Sequence, residues 1–439
     1  MFASPSLILL LFAAAQLSES LENGLARLPP MGWMSWTRFF CEINCQRFPN
    51  ACINERLYQE QADRMAQDGY LAVGYNTIHV DDCWAEKQRD SNGRMIPDRW
   101  RFPSGMIGLA NYLHARKLKF GLYGDYGTKT CAGYPGTMNF EQIDAQTFAD
   151  WQVDYLKMDG CNSDYLQMER GYPLFGRYLN ATNRPIVYSC SWPAYWADRP
   201  HLVKYALISQ HCNLWRNEAD ITSTWPSILG IINTYVRKQN DMIGWSGPGR
   251  FHDPDMLVIG NPGITEGMSR VQLSVWSIWS APLIMSNDLR AIRPEFRAIL
   301  QNTRVIAIDQ DSMGRMGRMV FRTSQLMYFV KPVTPVNNGQ YSFAVAIVNY
   351  SNRQAFASIS LAFLGLLDPQ GYSVEDLWTG QQIGRRFPTD NYQIWVNPID
   401  AHMFKATSIG GSTTRLPPKP AEEFTTRRTT RSFTRQFFG

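Results

Sequence analysis

The stretch Tyr155-Leu156-Lys157-Met158-Asp159-Gly160-Cys161 places a lysine, a carboxylate and a glycine turn at the end of a short apolar run. Such a run reads as a strand buried on both faces of a parallel sheet, and Gly160 permits a sharp exit. An Asp ahead of a Gly is also a frequent turn former that accepts backbone hydrogen bonds. What favours chemistry is repetition: Trp36, Asp81, Asp82, Tyr123, Arg216 and Asp220 also stand at or just after apolar runs, as Lys157 and Asp159 do. Carboxylates and cations grip hydroxyls through charge-assisted hydrogen bonds, and aromatic faces cover the apolar side of a pyranose, so the set reads as a sugar pocket. A carboxylate pair in such a pocket is the machinery of glycoside hydrolysis, one group attacking the anomeric carbon while the other protonates the leaving oxygen. A separation of about 5–5.5 Å gives retention through a covalent glycosyl-enzyme. The acid is expected to keep its proton near the working pH, helped by the negative charge of its neighbour.

Other chemistries use the same residue types. Asp81-Asp82 could ligate calcium, but no EF-hand spacing follows. Lys157 could form a Schiff base, as in a barrel aldolase; a lysine beside Asp159 is more simply its ion-pair partner and a hydroxyl donor. His252, in His252-Asp253-Pro254-Asp255, lacks companion histidines for a metal site and reads as a structural hydrogen-bonding residue. A sugar-binding protein without catalysis would not need both Asp159 and Asp220.

These residues need elements that bring them to one place. From Pro30 to about Gln301, short apolar runs ending in polar residues alternate with amphipathic stretches. Strands are expected at Met31 to Trp36, Thr77 to Val80, Lys119 to Tyr123, Tyr155 to Asp159, Pro185 to Ser189, Asn213 to Arg216, near His252 to Asp255, and at Pro282 to Met285. Met106, Leu109, Ala110 and Leu113 show the i, i+3, i+4, i+7 pattern of a helix. Eight strand-then-helix units make a (β/α)8 TIM barrel, with the polar strand ends at one mouth. A doubly wound sheet would want a Gly-rich first turn, which Met31-Gly32-Trp33 is not.

After about Asp309 the texture turns to β: Phe321 to Val333, Tyr341 to Tyr350, Ala355 to Leu361, Tyr372 to Trp378 and Tyr392 to Val396, with the turn signal Asn337-Asn338-Gly339. This predicts a C-terminal antiparallel β-sandwich. Phe343, Val345 and Ile347 alternate with Ser342, Ala344 and Ala346 as in a half-buried strand. The expected division is a signal peptide over 1–20, a barrel over 21–308, a β domain over 309–407 and a basic, Thr/Arg-rich disordered tail over 408–439.

The chain has 439 residues and a formal charge of +5. Six Lys/Arg against two Glu between Gly410 and Gly439 account for +4 of it, which leaves a near-neutral body and argues against nucleic acid as a partner. The apolar core of the leader, Leu7 to Ala15, is too short to span a bilayer, and Ser18-Glu19-Ser20 supplies a cleavage pattern, so maturation is expected at Leu21. No other run is apolar enough to span a membrane. The eight cysteines all lie in the first half, and in a secreted chain an even set favours disulfides over metal. Asn180-Ala181-Thr182 and Asn349-Tyr350-Ser351 are glycosylation sequons.

Five segments together resemble glycoside hydrolase family twenty-seven, a family that contains the lysosomal α-galactosidases and α-N-acetylgalactosaminidases. They are Pro30-Met31-Gly32-Trp33, Asp81-Asp82-Cys83-Trp84, Lys157-Met158-Asp159-Gly160-Cys161, Trp215-Arg216-Asn217-Glu218-Ala219-Asp220 and Asp253-Pro254-Asp255-Met256-Leu257. The resemblance covers roughly Leu21 to Ala406. It implies Asp159 as nucleophile and Asp220 as acid/base, with Trp36, Asp81, Asp82, Tyr123, Lys157 and Arg216 binding the sugar. It also implies the disulfides Cys41–Cys83, Cys45–Cys52, Cys131–Cys161 and Cys190–Cys212, a homodimer, lysosomal or secreted localisation, and no metal or organic cofactor. Galactosidases of this kind carry a large acidic residue at position 191 and a bulky aliphatic at 194. Here Ser191 and Ala194 are small, which implies room for a 2-acetamido group, with Ser191 to hydrogen-bond it and Ala194 and Tyr195 lining its methyl. The resemblance thus points to terminal α-linked N-acetylgalactosamine, with α-galactose as a second substrate. Departures from the family pattern are the missing sequon at Gly127-Thr128-Lys129-Thr130, and Glu218 and His252 near the site.

Overall fold

The computed structural model describes Leu21 and residues 23–410; the expected leader, and the tail beyond Gly410, lie outside the described residues. The first part alternates as the periodicity requires. Strands β1 (Met31–Met34), β2 (Thr77–Val80), β3 (Lys119–Asp125) and β4 (Tyr155–Asp159) are followed by β5 (Val187–Cys190), β6 (Leu214–Arg216), β7 (Phe251–Asp253) and β8 (Leu283–Met285). Between and after them run α1 (Trp36–Phe39), α2 (Glu55–Gln67), α3 (Gly105–His114), α4 (Glu141–Asp150), α5 (Tyr165–Ala181), α6 (Tyr205–Ser209), α7 (Trp225–Met242), α8 (Glu266–Ile278), α9 (Pro294–Leu300) and α10 (Thr303–Asp309). Every pairing within the eight-stranded sheet is parallel, in the order β7-β6-β5-β4-β3-β2-β1-β8. The ring is completed by Leu257, just beyond β7: its N–H donates to the Ile284 carbonyl at 2.7 Å, and its carbonyl accepts from Ser286 at 2.9 Å. This is a (β/α)8 barrel.

Residues at i and i+2 share a face of a strand. Tyr123 and Asp125 on β3, and Lys157 and Asp159 on β4, therefore form two inward pairs, and the register sets Tyr123 beside Lys157 and Asp125 beside Asp159. Below them the buried His79 ring lies edge-on to Tyr155, 4.4 Å between centroids. It has this space because Gly32 and Gly121 face it, and a side chain at Gly121 would collide with the ring. Helix α5 begins right after the Asp159 turn: Asp164 accepts from the N–H groups of Leu166 and Gln167, and Gln167 returns a bond to the Asp164 N–H, a capping box.

The second part comprises β9 (Arg318–Arg322), β10 (Leu326–Asn337), β11 (Gln340–Asn349), β12 (Ala355–Ser360), β13 (Tyr372–Asp376), β14 (Gln382–Arg386), β15 (Asn391–Val396) and β16 (Asp400–Ser408). They form an antiparallel six-stranded sheet packed on the two-stranded β12–β15 sheet. Asn338 and Gly339 both have positive φ, 49° and 79°, in the β10–β11 hairpin that the Asn-Asn-Gly signal predicts. The run read as one strand over Phe321 to Val333 is instead two, β9 and β10, and β14 and β16 were not foreseen. β11 also differs from the half-buried expectation. Val345 and Ile347 face the β12–β15 sheet, while Ala344, Ala346 and Val348 join the barrel's core. The small face is apolar because helix α8 of the barrel packs on it, so both faces of β11 are buried.

Candidate active site

All the predicted strand-end residues meet at the carboxyl ends of the barrel strands. Asp159 closes β4. Its Oδ1 accepts from the Tyr195 hydroxyl at 2.6 Å and from the Gly160 N–H at 3.0 Å, and its Oδ2 accepts from the Tyr123 hydroxyl at 3.1 Å. Three donors on one carboxylate fix its rotation. The Cys131–Cys161 disulfide lies against it, with the Cys131 sulfur 3.6 Å from Oδ2. Tyr195 was expected only to line an acetamide methyl; its hydroxyl instead binds Asp159 directly.

Beside this group, Lys157 donates to Asp81 Oδ2 at 2.7 Å, both side chains being buried. The expected pairing of Lys157 with Asp159 is therefore corrected to Asp81, which stands at the end of β2, two strands from β4, where the lysine reaches it. Burial works against the lysine's charge, but Asp81, Asp159 and Asp220 outweigh it and raise Lys157 above the ordinary range. A Schiff-base lysine must be neutral to attack, so this environment opposes the aldolase reading. Asp82 accepts from the N–H groups of Cys83 at 2.6 Å and Ala132 at 3.0 Å, and burial raises it to about 6. With its oxygens taken by donors and those of Asp81 by Lys157 and the Asp82 N–H, the pair offers no calcium cage. Cys83, at φ 76° without being glycine, is held there by the Cys41–Cys83 disulfide and the Asp82 bond.

The third group surrounds Asp220. Trp36 donates its indole N–H to Asp220 Oδ2 at 3.0 Å, and Arg216 reaches Asp220 Oδ1 at 3.2 Å and Asp255 Oδ2 at 2.9 Å. Asp255 is buried, at φ 83°, and also accepts from the Ile221 N–H at 2.7 Å, so it locks the loop that carries Asp220. The Asp220 side chain is 57% exposed. Burial pushes its carboxyl up, but Arg216, Lys157 and the Trp36 donor overcome this and leave it below the ordinary carboxylate range. The expectation that this acid keeps its proton is thus not met in the free protein: two cations face Asp220, and with the Trp36 donor they outweigh burial.

A cavity of about 360 Å³ joins Asp159 to Asp220 and is lined as well by Ser191, Ala194, Tyr195, Arg216, Glu218 and the Cys131–Cys161 bridge. Ser191 and Ala194 come from the segment after β5 and leave this wall low. Glu218 reaches the wall paired to Lys238 at 2.9 Å. The strand-end pattern missed Asp125 and Asp255 as parts of the site. The spacing to Tyr123 and the Asp-Pro-Asp turn carried the signals, but register and loop closure were needed to read them.

The remaining expectations sort by burial. The four cysteine pairs form as the resemblance implies. His252 donates through Nε2 to the Met242 carbonyl and accepts at Nδ1 from Trp215, and burial lowers it to about 3, so it is a neutral structural residue. Among the described residues, the group that could converge on a metal is Asp125, Cys131 and Cys161, and the disulfide leaves it no thiolate. Asn180 is exposed at the end of α5. Asn349 is corrected: it is 0% exposed, and its amide donates to the carbonyls of Arg353, Val396 and Asn397, which leaves no nitrogen to carry a glycan.

The family described as alpha galactosidase A matches residues 28–311, and the alpha galactosidase C-terminal beta sandwich domain matches residues 326–406. The alpha-N-acetylgalactosaminidase of Gallus gallus is 47% identical over 389 residues, covering 88% of this chain and 94% of that protein. The Homo sapiens alpha-N-acetylgalactosaminidase is 44% identical, covering 90% of this chain and 96% of that one. Alpha-galactosidase A of Homo sapiens is 46% identical over 76% of each chain. The crystal structure of alpha-galactosidase I from Mortierella vinacea superposes with a TM-score of 0.78 at 27% identity, covering 89% of this chain and 100% of that one.

Proposed function

We propose a substrate and a mechanism from the premise that this chain belongs to glycoside hydrolase family twenty-seven. It is a glycosidase, and the reaction is removal of terminal α-linked N-acetylgalactosamine from glycoproteins, glycolipids and oligosaccharides with retention. Asp159, oriented by Tyr195, Tyr123 and the Gly160 N–H, attacks the anomeric carbon. Asp220 gives its proton to the leaving oxygen. In the second step Asp220, again a carboxylate, takes a proton from water, which attacks the glycosyl ester and frees Asp159. Asp81, Asp82 and Lys157 hold the hydroxyls on carbons 3, 4 and 6. Because Asp220 is depressed in the free protein, productive encounter needs acid conditions or a substrate that screens Arg216. An acidic compartment, the lysosome, fits this, with secretion as the other fate; a homodimer and a glycan at Asn180 complete the reading.

The observation that carries the sugar assignment is the wall of Ser191 and Ala194 in the cavity beside Asp159. A roomy pocket admits both an acetamide and a plain hydroxyl, whereas a filled one excludes the acetamide sterically. α-Galactosidase activity is therefore the secondary reading. The test is kcat/KM on p-nitrophenyl α-N-acetylgalactosaminide against p-nitrophenyl α-galactoside. The acetamido substrate is expected to win, and a wide margin for the galactoside would sink the assignment.

A further inference from the structure

Asp125 has no part in the chemistry above, yet it lies next to it. The β3–β4 register sets it directly beside Asp159, and it is wholly buried. Its Oδ1 accepts from the Gly127 N–H at 2.7 Å and its Oδ2 from the Cys161 N–H at 3.0 Å. The Tyr123 oxygen stands 3.4 Å from Asp125 Oδ2 and 3.1 Å from Asp159 Oδ2, so one phenol bridges two carboxyl groups. Among the described residues no lysine, arginine or histidine forms an ion pair with Asp125. The titratable groups that face it are Asp159 from β4, Asp82 from the turn after β2, Tyr195 from the segment after β5, Tyr172 from α5, and Tyr123 on its own strand.

We propose that Asp125 is a positioning residue for the nucleophile: its carboxyl carries a proton and donates it in a hydrogen bond to the Tyr123 oxygen, which turns the Tyr123 hydrogen toward Asp159. The inference rests on the reading of Asp159 as nucleophile. A phenol has one hydrogen to give. If both carboxyls were ionised, the one that did not receive it would face oxygen lone pairs in a buried site, an expensive arrangement. A proton on Asp125 removes the conflict and gives one directed chain, Asp125 to Tyr123 to Asp159. The proton belongs on Asp125 because its side chain is wholly shut off from solvent, whereas Asp159 opens onto the cavity and already accepts from Tyr195 and Gly160. Burial and the charge of Asp159 accordingly raise Asp125 to about 9. The proton is not transferred in the reaction; it holds Tyr123 in one orientation while the charge on Asp159 is consumed and restored.

Difference infrared spectroscopy on the full chain tests this. At neutral pH, wild type minus Asp125→Asn is expected to show the C=O band of a protonated carboxyl that shifts in D2O. Asp309, another buried carboxyl raised to about 8, is common to both and cancels. A carboxylate band in its place overturns the proposal. If Asp125→Asn does not fold, wild type minus Tyr123→Phe serves: the acid band moves when its acceptor is lost, and an unmoved band overturns the proposal. In kinetics, Asp125→Ala, which leaves the Tyr123 oxygen without this donor, is expected to lower kcat by about 10²-fold with KM little changed, as misplacement of a reacting group does, and Asp125→Asn, whose amide N–H can replace the carboxyl O–H, to retain more of it. A fall in melting temperature with kcat intact would mark Asp125 as merely structural and overturn it too. Rescue of Asp159→Gly by azide probes the parent reading separately. Its failure would remove Asp159 as nucleophile, while the infrared band would still report the state of Asp125.

Discussion

Asp159 and Asp220 are both aspartates on strand-end segments, and their neighbours make them different. Asp159 receives two phenols and a backbone N–H, whereas Asp220 receives an indole and a guanidinium. Since kcat/KM reports the free enzyme, and since protonated Asp220 is the required acid, activity on p-nitrophenyl substrates should fall as pH rises through an already acidic range. Trp36→Phe removes a donor to the ionised form and so raises the Asp220 pKa. The alkaline limb of kcat/KM is expected to move up by roughly half a unit, and a downward move would refute the assignment of that limb to Asp220. Specificity is also decided residue by residue. Ser191→Glu combined with Ala194→Leu fills the cavity wall and is expected to shift the ratio of kcat/KM values toward the galactoside by about 10²-fold.

At the scale of elements, the loops leaving the strands are held by covalent and hydrogen-bond ties. The Cys131–Cys161 bridge joins the segment after β3 to the turn after β4, and the Cys161 N–H is the one that reaches Asp125. Cys131→Ser with Cys161→Ser should cost about 2–4 kcal/mol of stability and lower kcat as well, because the nucleophile's turn loses its anchor; urea unfolding and turnover measured together check both. In the β domain, Asn349 ties the end of β11 to the β12 and β15 flanks through its amide. Peptide mapping of protein expressed through a eukaryotic secretory pathway should find Asn349 without a glycan, and Asn349→Ala should cost about 2–3 kcal/mol in an unfolding titration, as expected when buried carbonyls lose their donor.

At the scale of the molecule, barrel and sheet share one core. Lys331 on β10 is completely buried and donates to the carbonyls of Ser277 and Ile308 and to the Ser280 hydroxyl, so it caps the ends of α8 and α10 from the other domain. Burial lowers it to about 8. Lys331→Met takes a buried donor from three barrel acceptors and should destabilise the protein by about 2–4 kcal/mol, read by thermal or urea unfolding. Asp309 nearby is raised to about 8 by burial. Its stabilising share is complete below the ordinary carboxylate pKa and is lost as pH rises from there through about 8. Stability of the wild type should therefore decline over that window, and Asp309→Asn should flatten the decline.

Periodicity alone determined the alternation of strands and helices, because buried parallel strands must be apolar and amphipathic helices must cover them. It thereby placed Trp36, Asp81, Tyr123, Lys157, Asp159 and Arg216 at one mouth. Five local motifs carried the family. What only the tertiary structure decided was partnership: that Lys157 serves Asp81, that Tyr195 serves Asp159, that Asp125 lies under the nucleophile, that Asn349 is walled in, and that the small face of β11 meets α8. Partnership depends on strand register and loop closure, which bring together residues distant in the chain. Hydrophobic spacing says which way a side chain points, but not what it meets there.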